Sequence, residues 1–111
     1  ERTARGLKAL STDTALSKVA RIKSQDMKDN GYFDHTSPTY GSPFEMMQKF
    51  GITYSYAGEN IARGQTSPAA VVNAWMNSQG HRENILNPNF THIGVGHTTG
   101  TNHWTQMFIK K

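Results

Sequence analysis

Between residues 12 and 28 the apolar side chains Ala15, Leu16, Val19, Ile22 and Met27 recur at helical spacing, which predicts a first amphipathic helix. Ser11, Thr12 and Asp13 each offer a side-chain oxygen to cap its start, and Asn30-Gly31 offers a stop. A second, short helix is marked by Ser42 and Glu45 at capping-box spacing, by Pro43 at the first helical position and by Gly51 at its end. Its pattern turns Phe44, Met47 and Phe50 inward. Residues 52–56 alternate as a short strand that Ala57-Gly58 breaks. Ser67-Pro68 opens a third helix through Val71, Val72, Trp75 and Met76. Gly80 interrupts it, and residues 81–86 add a further turn before Pro88.

The end of the chain reads as a β-hairpin, with strands over 91–99 and 103–110 joined by Gly100-Thr101-Asn102. In the second strand His103, Thr105, Met107 and Ile109 share one face, and Trp104, Gln106 and Phe108 share the other. Helices precede strands, so the order predicts an α+β fold with a mainly antiparallel sheet. Trp75, Trp104 and Phe108 are expected in the core, where such rings each bury about 150–250 Å².

A chain of 111 residues supports one domain over 1–111 and one core. Twelve Lys and Arg against eight Asp and Glu give a net charge of +4. The charge is spread along the chain, with Arg2/Arg5 and Lys110/Lys111 the nearest approach to clusters. No dense basic run is interleaved with aromatics, which argues against nucleic acid as a partner. A solvated surface with weak attraction to anionic polymers such as cell-wall components is the expectation. The absence of cysteine excludes disulfides and thiolate metal sites. No apolar run approaches the roughly 20 residues of a membrane-spanning helix. Residues 1–6 read as the tail of a helix, so a processed or excised domain is expected, and a monomer is the simplest assembly.

Four segments carry chemistry. They are Phe33-Asp34-His35-Thr36-Ser37-Pro38, Gly58-Glu59-Asn60-Ile61-Ala62, the run from Ala74-Trp75 through Gly80-His81-Arg82-Glu83-Asn84 to Leu86, and His103-Trp104-Thr105-Gln106-Met107-Phe108. In this order, over about two-thirds of the chain, they resemble the CAP superfamily, also called the SCP domain, in its bacterial, exported branch. The resemblance implies a three-layer α-β-α sandwich with a cleft lined by two histidines and two acidic residues. It assigns one histidine to His35, the second to His103 and one glutamate to Glu59. It also implies a divalent cation, often zinc, held between His35 and His103. Where relatives carry the second glutamate this chain has Ser78, and His81, with Glu83 as second choice, is the candidate to fill the vacancy. The family's fuller first helix implies an amino terminus shortened at that element.

Imidazole nitrogens suit zinc, copper and nickel, and two histidines leave positions open for water. Glu59 is then a candidate base for such a water, or alternatively a carboxylate that accepts backbone N–H bonds and holds a loop. Arg82 and Asn84 are expected to satisfy helix-end groups, His92 and His97 to lie exposed, and Ser37 and Ser78 to serve turns or helix ends rather than nucleophilic attack. These residues support, in descending order, three functions. The first is a secreted or cell-surface module binding a small ligand, lipid or cell-wall component. The second is a structural or adhesive domain, and the third a metal-assisted hydrolase or peptidase using His35, His103 and Glu59. The hydrolase stands last because the acidic pair is incomplete.

Overall fold

The computed structural model describes residues 1–111. Its first strand, β1 (Ser11–Thr12), pairs in parallel with the later strand β3 (His92–Thr98). Ser11 and Thr12 therefore serve the sheet, and Asp13 alone caps α1 (Thr14–Asn30), accepting from the Leu16 N–H at 2.9 Å. Gly31 ends α1 in the left-handed conformation, at φ 63°, with its N–H on the Met27 carbonyl. Leu16, Val19, Ala20, Lys23 and Met27 form the buried stripe, while Ala15 is exposed.

The short helix α2 (Pro43–Lys49) has the reciprocal Ser42–Glu45 cap that the sequence announces. Its inward face differs from expectation. Met46 and Met47 are buried, whereas Phe44 and Phe50 stay 46% and 38% exposed. A seven-residue helix presents one narrow stripe, and Pro43, Met46 and Met47 fill it; Phe50 packs sideways on Tyr40 with ring centroids 5.5 Å apart.

The strand expected over 52–56 lies further along. β2 (Tyr56–Arg63) runs straight through Ala57-Gly58, because β4 (His103–Lys110) supplies its ladder partners from Tyr56↔Lys110 to Arg63↔His103. Gly58 is needed there for space, since a Cβ would meet the Phe90 ring at 3.0 Å. Helices α3 (Pro68–Met76) and α4 (Gln79–Ile85) follow, and the β3–β4 hairpin closes the chain.

The sheet order is β1-β3-β4-β2, with only the β1–β3 pair parallel. β4 is buried along its length except at Lys110. Met107 and Ile109 on one face join Leu16, Val19, Ala20, Met46 and Met47. Trp104 and Phe108 on the other join Val71, Trp75, Ile85 and Phe90. Helices thus cover both faces, giving an α+β, three-layer α-β-α sandwich.

Two contacts depart from a surface reading of the sequence. Arg2 is buried, and its guanidinium donates to the carbonyls of Lys8, Ile85 and Asn87 at 2.7–2.9 Å, capping the end of α4. Gly94 and Gly96 lie under α1. A Cβ at either would stand 2.3 Å from helix backbone, at Leu16 and Ala20 respectively. The helix rests on β3 through two missing side chains.

Gly96→Ala is therefore expected to destabilise the fold by about 3 kcal/mol, the upper part of the overpacking range. Val95→Thr, on the exposed side of the same strand, should stay within about 0.5 kcal/mol. Urea midpoints measure both, and equal midpoints would disprove the helix-on-glycine contact.

Candidate functional site

The site begins with β2 as the edge of the sheet. Gly64 N–H bonds the Asn102 carbonyl, which sets the ladder so that even-numbered residues face β4 and odd-numbered ones face outward. Two of those outward carbonyls are closed by side chains from the helical layer. Asn84 Nδ2 donates to the Glu59 carbonyl at 3.2 Å, and Trp75 Nε1 to the Ile61 carbonyl at 3.1 Å. The edge is blunted against strand addition there, and a cleft runs beside it.

Glu59 stands opposite Met107, on the α1 face, with its side chain 1% exposed. Its Oε1 lies 2.7 Å from Nδ1 of the half-exposed His35, while its Oε2 is buried without a partner. Burial pushes the Glu59 carboxyl up, against the opposing pull of His35 and Lys23. The hydrogen bond to Glu59 raises the His35 imidazole, against burial. Both groups bind protons more tightly than when free, so the pair retains a proton to higher pH than an isolated histidine.

Lys23 is the participant that sequence reading missed. It sits within the apolar stripe of α1, fully buried, where a lysine needs a specific partner. Its Nζ donates to the Asp34 and His35 carbonyls, both at 2.8 Å, and lies 4.9 Å from the Tyr32 ring centroid. Burial lowers its pKa, and Glu59 is the strongest opposing charge. One turn later Asp26 plays the complementary part. Burial acts to raise its carboxyl, but hydrogen bonds from Ser37, Tyr32, Thr39 and Asn30 outweigh it and hold the group below its ordinary value. Ser37 is a turn residue, receiving the Thr39 and Tyr40 N–H groups at 3.0 Å. The signal available in the sequence was a Lys and an Asp on a helix face that should have been apolar.

His81 and Ser78 meet across the start of α4, with His81 Nδ1 2.8 Å from Ser78 Oγ. Burial lowers the His81 imidazole, and the charge of His35 lowers it further. Glu83 does not join them. It is exposed and accepts from Gln79 Nε2, because two residues of helix turn it away from the face that carries His81, Asn84 and Ile85. Asn84 also donates to Asn60 Oδ1 at 2.9 Å, and Asn60 donates to Gln106 Oε1 and to the His81 carbonyl at 3.1 Å. Arg82 meets the Met76 carbonyl at the end of α3, a helix-end role as expected.

His103 is buried on the same sheet face as Glu59 but opposite Arg63. Four ladder positions at about 3.4 Å each separate it from Met107, the partner of Glu59, roughly 13–14 Å along the strand. Its Nδ1 lies 2.6 Å from Thr101 Oγ1, and its ring is 6.5 Å from that of Phe33. Burial lowers its pKa, helped by the charges of Arg63 and Lys28. The fold thus joins His35 to Glu59, brings His81 with Ser78 near them, and sets His103 at the far end of the cleft. No three His, Asp or Glu side chains converge to hold a metal ion. Of the remaining histidines, His97 is exposed and stacks on Trp104 at 3.9 Å, and His92 is partly buried. Beside His81 the cleft opens into a cavity of about 320 Å³ walled by Phe33, Ile61, Arg63, Gln65 and Trp75.

A model of the CAP, cysteine-rich secretory protein, family matches residues 1–109. The protein YkwD of Bacillus subtilis strain 168 is 68% identical over 111 residues, all of this chain and 43% of that protein. An extracellular protein containing an SCP domain from Bacillus anthracis, known at 1.5 Å, superposes with a TM-score of 0.95 at 42% identity, over 99% of this chain and 36% of that one. An outer surface protein of Borrelia burgdorferi does so at 0.89 and 27% identity, over 99% of this chain and 84% of that one. The chain therefore spans less than half the length of its Bacillus relatives.

Because both pKa shifts of the His35–Glu59 pair are upward, the pair favours the fold at low pH. That contribution declines as pH rises past the ordinary carboxylate and then through the raised imidazole pKa. In Glu59→Gln the NMR titration midpoint of His35 should fall toward that of free histidine, and the decline in stability should flatten. An unmoved His35 midpoint would refute the pairing.

Proposed function

The chain belongs to the CAP, or cysteine-rich secretory protein, family, and from that membership we propose that it is an extracellular or cell-surface binding module whose cleft beside β2 takes a small ligand or cell-wall fragment. One observation carries the reading. Glu59 Oε2 is an acceptor withdrawn from water and left without a hydrogen bond, beside a histidine half open to solvent. An unsatisfied buried polar atom costs about 1–3 kcal/mol, and a donor on a bound molecule would recover it. Relatives described as extracellular or outer surface proteins support the location.

A divalent cation is a second guest of the same cleft. His35 and His103 each engage Nδ1, with Glu59 and Thr101 respectively, and keep Nε2 free. Outer contacts of that kind orient metal-binding imidazoles. With His35 tied to Glu59 and His103 four ladder positions away, each imidazole would serve as a single ligand, so an ion would be held loosely and completed by water rather than in a closed structural site, which needs four protein ligands. Bound zinc would supply Lewis acidity to a coordinated water. The chain's own part is to orient the two rings and to keep Glu59 dry. Hydrolysis is no part of this reading, since Glu59 is already engaged by His35 and stands far along the ladder from His103.

Calorimetric titration with zinc should show weak uptake that His35→Ala combined with His103→Gln removes, with circular dichroism unchanged. Uptake that persists in the double variant would reject these two ligands, and no uptake by the wild type would reject the cation.

A further inference from the structure

The cavity beside His81 has a chemistry of its own. Its walls are mostly apolar, with Phe33 and Trp75 providing aromatic surface, and its one permanent charge is the Arg63 guanidinium. Arg63 is held 4.9 Å from the Phe33 ring centroid and takes part in none of the ion pairs of the structure. Gln65 Oε1 is buried without a hydrogen-bond partner, although the Gln65 backbone carbonyl is satisfied by Trp104 Nε1 at 2.9 Å. The ladder phase directs the backbone N–H and carbonyl of Arg63 outward as well, beyond the point where Trp75 closes the edge at Ile61.

Together these groups ask for three features in one small molecule. An anion answers Arg63, an N–H donor answers Gln65 and the outward Arg63 carbonyl, and a small apolar group fits between the aromatic walls. A side-chain amide pairs most completely with another amide, which offers it a donor and an acceptor at once. We propose that this cavity binds the end of a short peptide that bears a free carboxylate, with the carboxylate on Arg63 and the last amide on Gln65. The proposal rests on the reading of the cleft as a ligand site and names the class of ligand. A volume of about 320 Å³ admits two small residues and no more.

The carboxylate can come from a protein chain or from a cell-wall peptide, and the two differ in handedness. The test is an NMR titration of the ¹⁵N-labelled chain, with a chelator present, using N-acetyl-dialanine in its L,L and D,D forms, each as free acid and as carboxamide. The acid should shift the resonances of Arg63, Gln65 and the Trp75 indole, and should bind at least about tenfold tighter than the amide, as loss of one charge-assisted hydrogen bond demands. Arg63→Gln, at an exposed strand end, should erase that preference. Lys49→Gln, a surface cation on α2, should leave affinity within about twofold. Preference for either handedness supports the shared chemistry and identifies its source. Equal binding of acid and amide, an undiminished preference in Arg63→Gln, or no shifts up to about 20 mM, beyond any useful affinity, would overturn it. Because metal is excluded, zinc uptake without peptide binding sinks this proposal alone. Peptide binding without zinc uptake leaves it standing and removes the cation from the cleft.

Discussion

Everything in this molecule is positioned by the depth at which α1 sits on the sheet. The helix backbone at Leu16 and Ala20 presses on strand β3 where Gly94 and Gly96 have no side chains. Ser24, further along the same face, reaches the Gly96 carbonyl at 3.3 Å and Thr105 Oγ1 at 2.7 Å. That closeness brings Lys23 and Asp26, on the next turns, over the end of the helix and under the loop that follows. A helix held higher by two methyl groups would carry both charges away from the carbonyls and hydroxyls they serve.

The loop from Tyr32 to Tyr40 has little regular structure, yet it carries the histidine of the cleft. Its rigidity comes from two buried charges used in opposite senses. Lys23 collects carbonyls, and Asp26 collects hydroxyls and an amide. Hydrogen bonds to charged groups contribute about 1.5–3 kcal/mol each, more than neutral ones. Removing either charge alone would strand its partners, because burial makes an unpaired polar group costly. His35 thereby arrives at Glu59 with its backbone already pinned, and little freedom is lost when the 2.7 Å bond forms.

The opposite wall is built by amides. Asn60, Asn84 and Gln106 bond one another through the sheet and fasten α4 to β2, while Trp75 closes the strand edge. The result is a cleft with a rigid polar floor, a titratable pair in the middle and an aromatic cavity at one end. The chain's family membership fixes the architecture and not the function, since one fold hosts many functions.

Local chemistry was legible in the sequence wherever a neighbour within a few residues decided the outcome. The Ser42–Glu45 capping box, the Ser67-Pro68 start of α3, the Gly31 stop and the alternating faces of β4 are of this kind, and the motifs around His35 and Glu59 marked two residues that do meet. Partners distant in the chain decided the rest. Residues 52–55 lost their expected strand because β4 pairs from Tyr56 onward, and β2 continues past Gly58 for the same reason. Arg2 left the surface to cap a helix that ends 83 residues later. Lys23 went unmarked in the sequence, because its acceptors, the Asp34 and His35 carbonyls, reach it only when the loop folds over the helix. His81 was the first choice and Glu83 the second for the fourth cleft position, and the phase of α4 turned Glu83 to solvent. A sequence states propensities along one dimension, whereas burial, and the cost of leaving a buried polar atom unpaired, exist only once distant segments have been packed together.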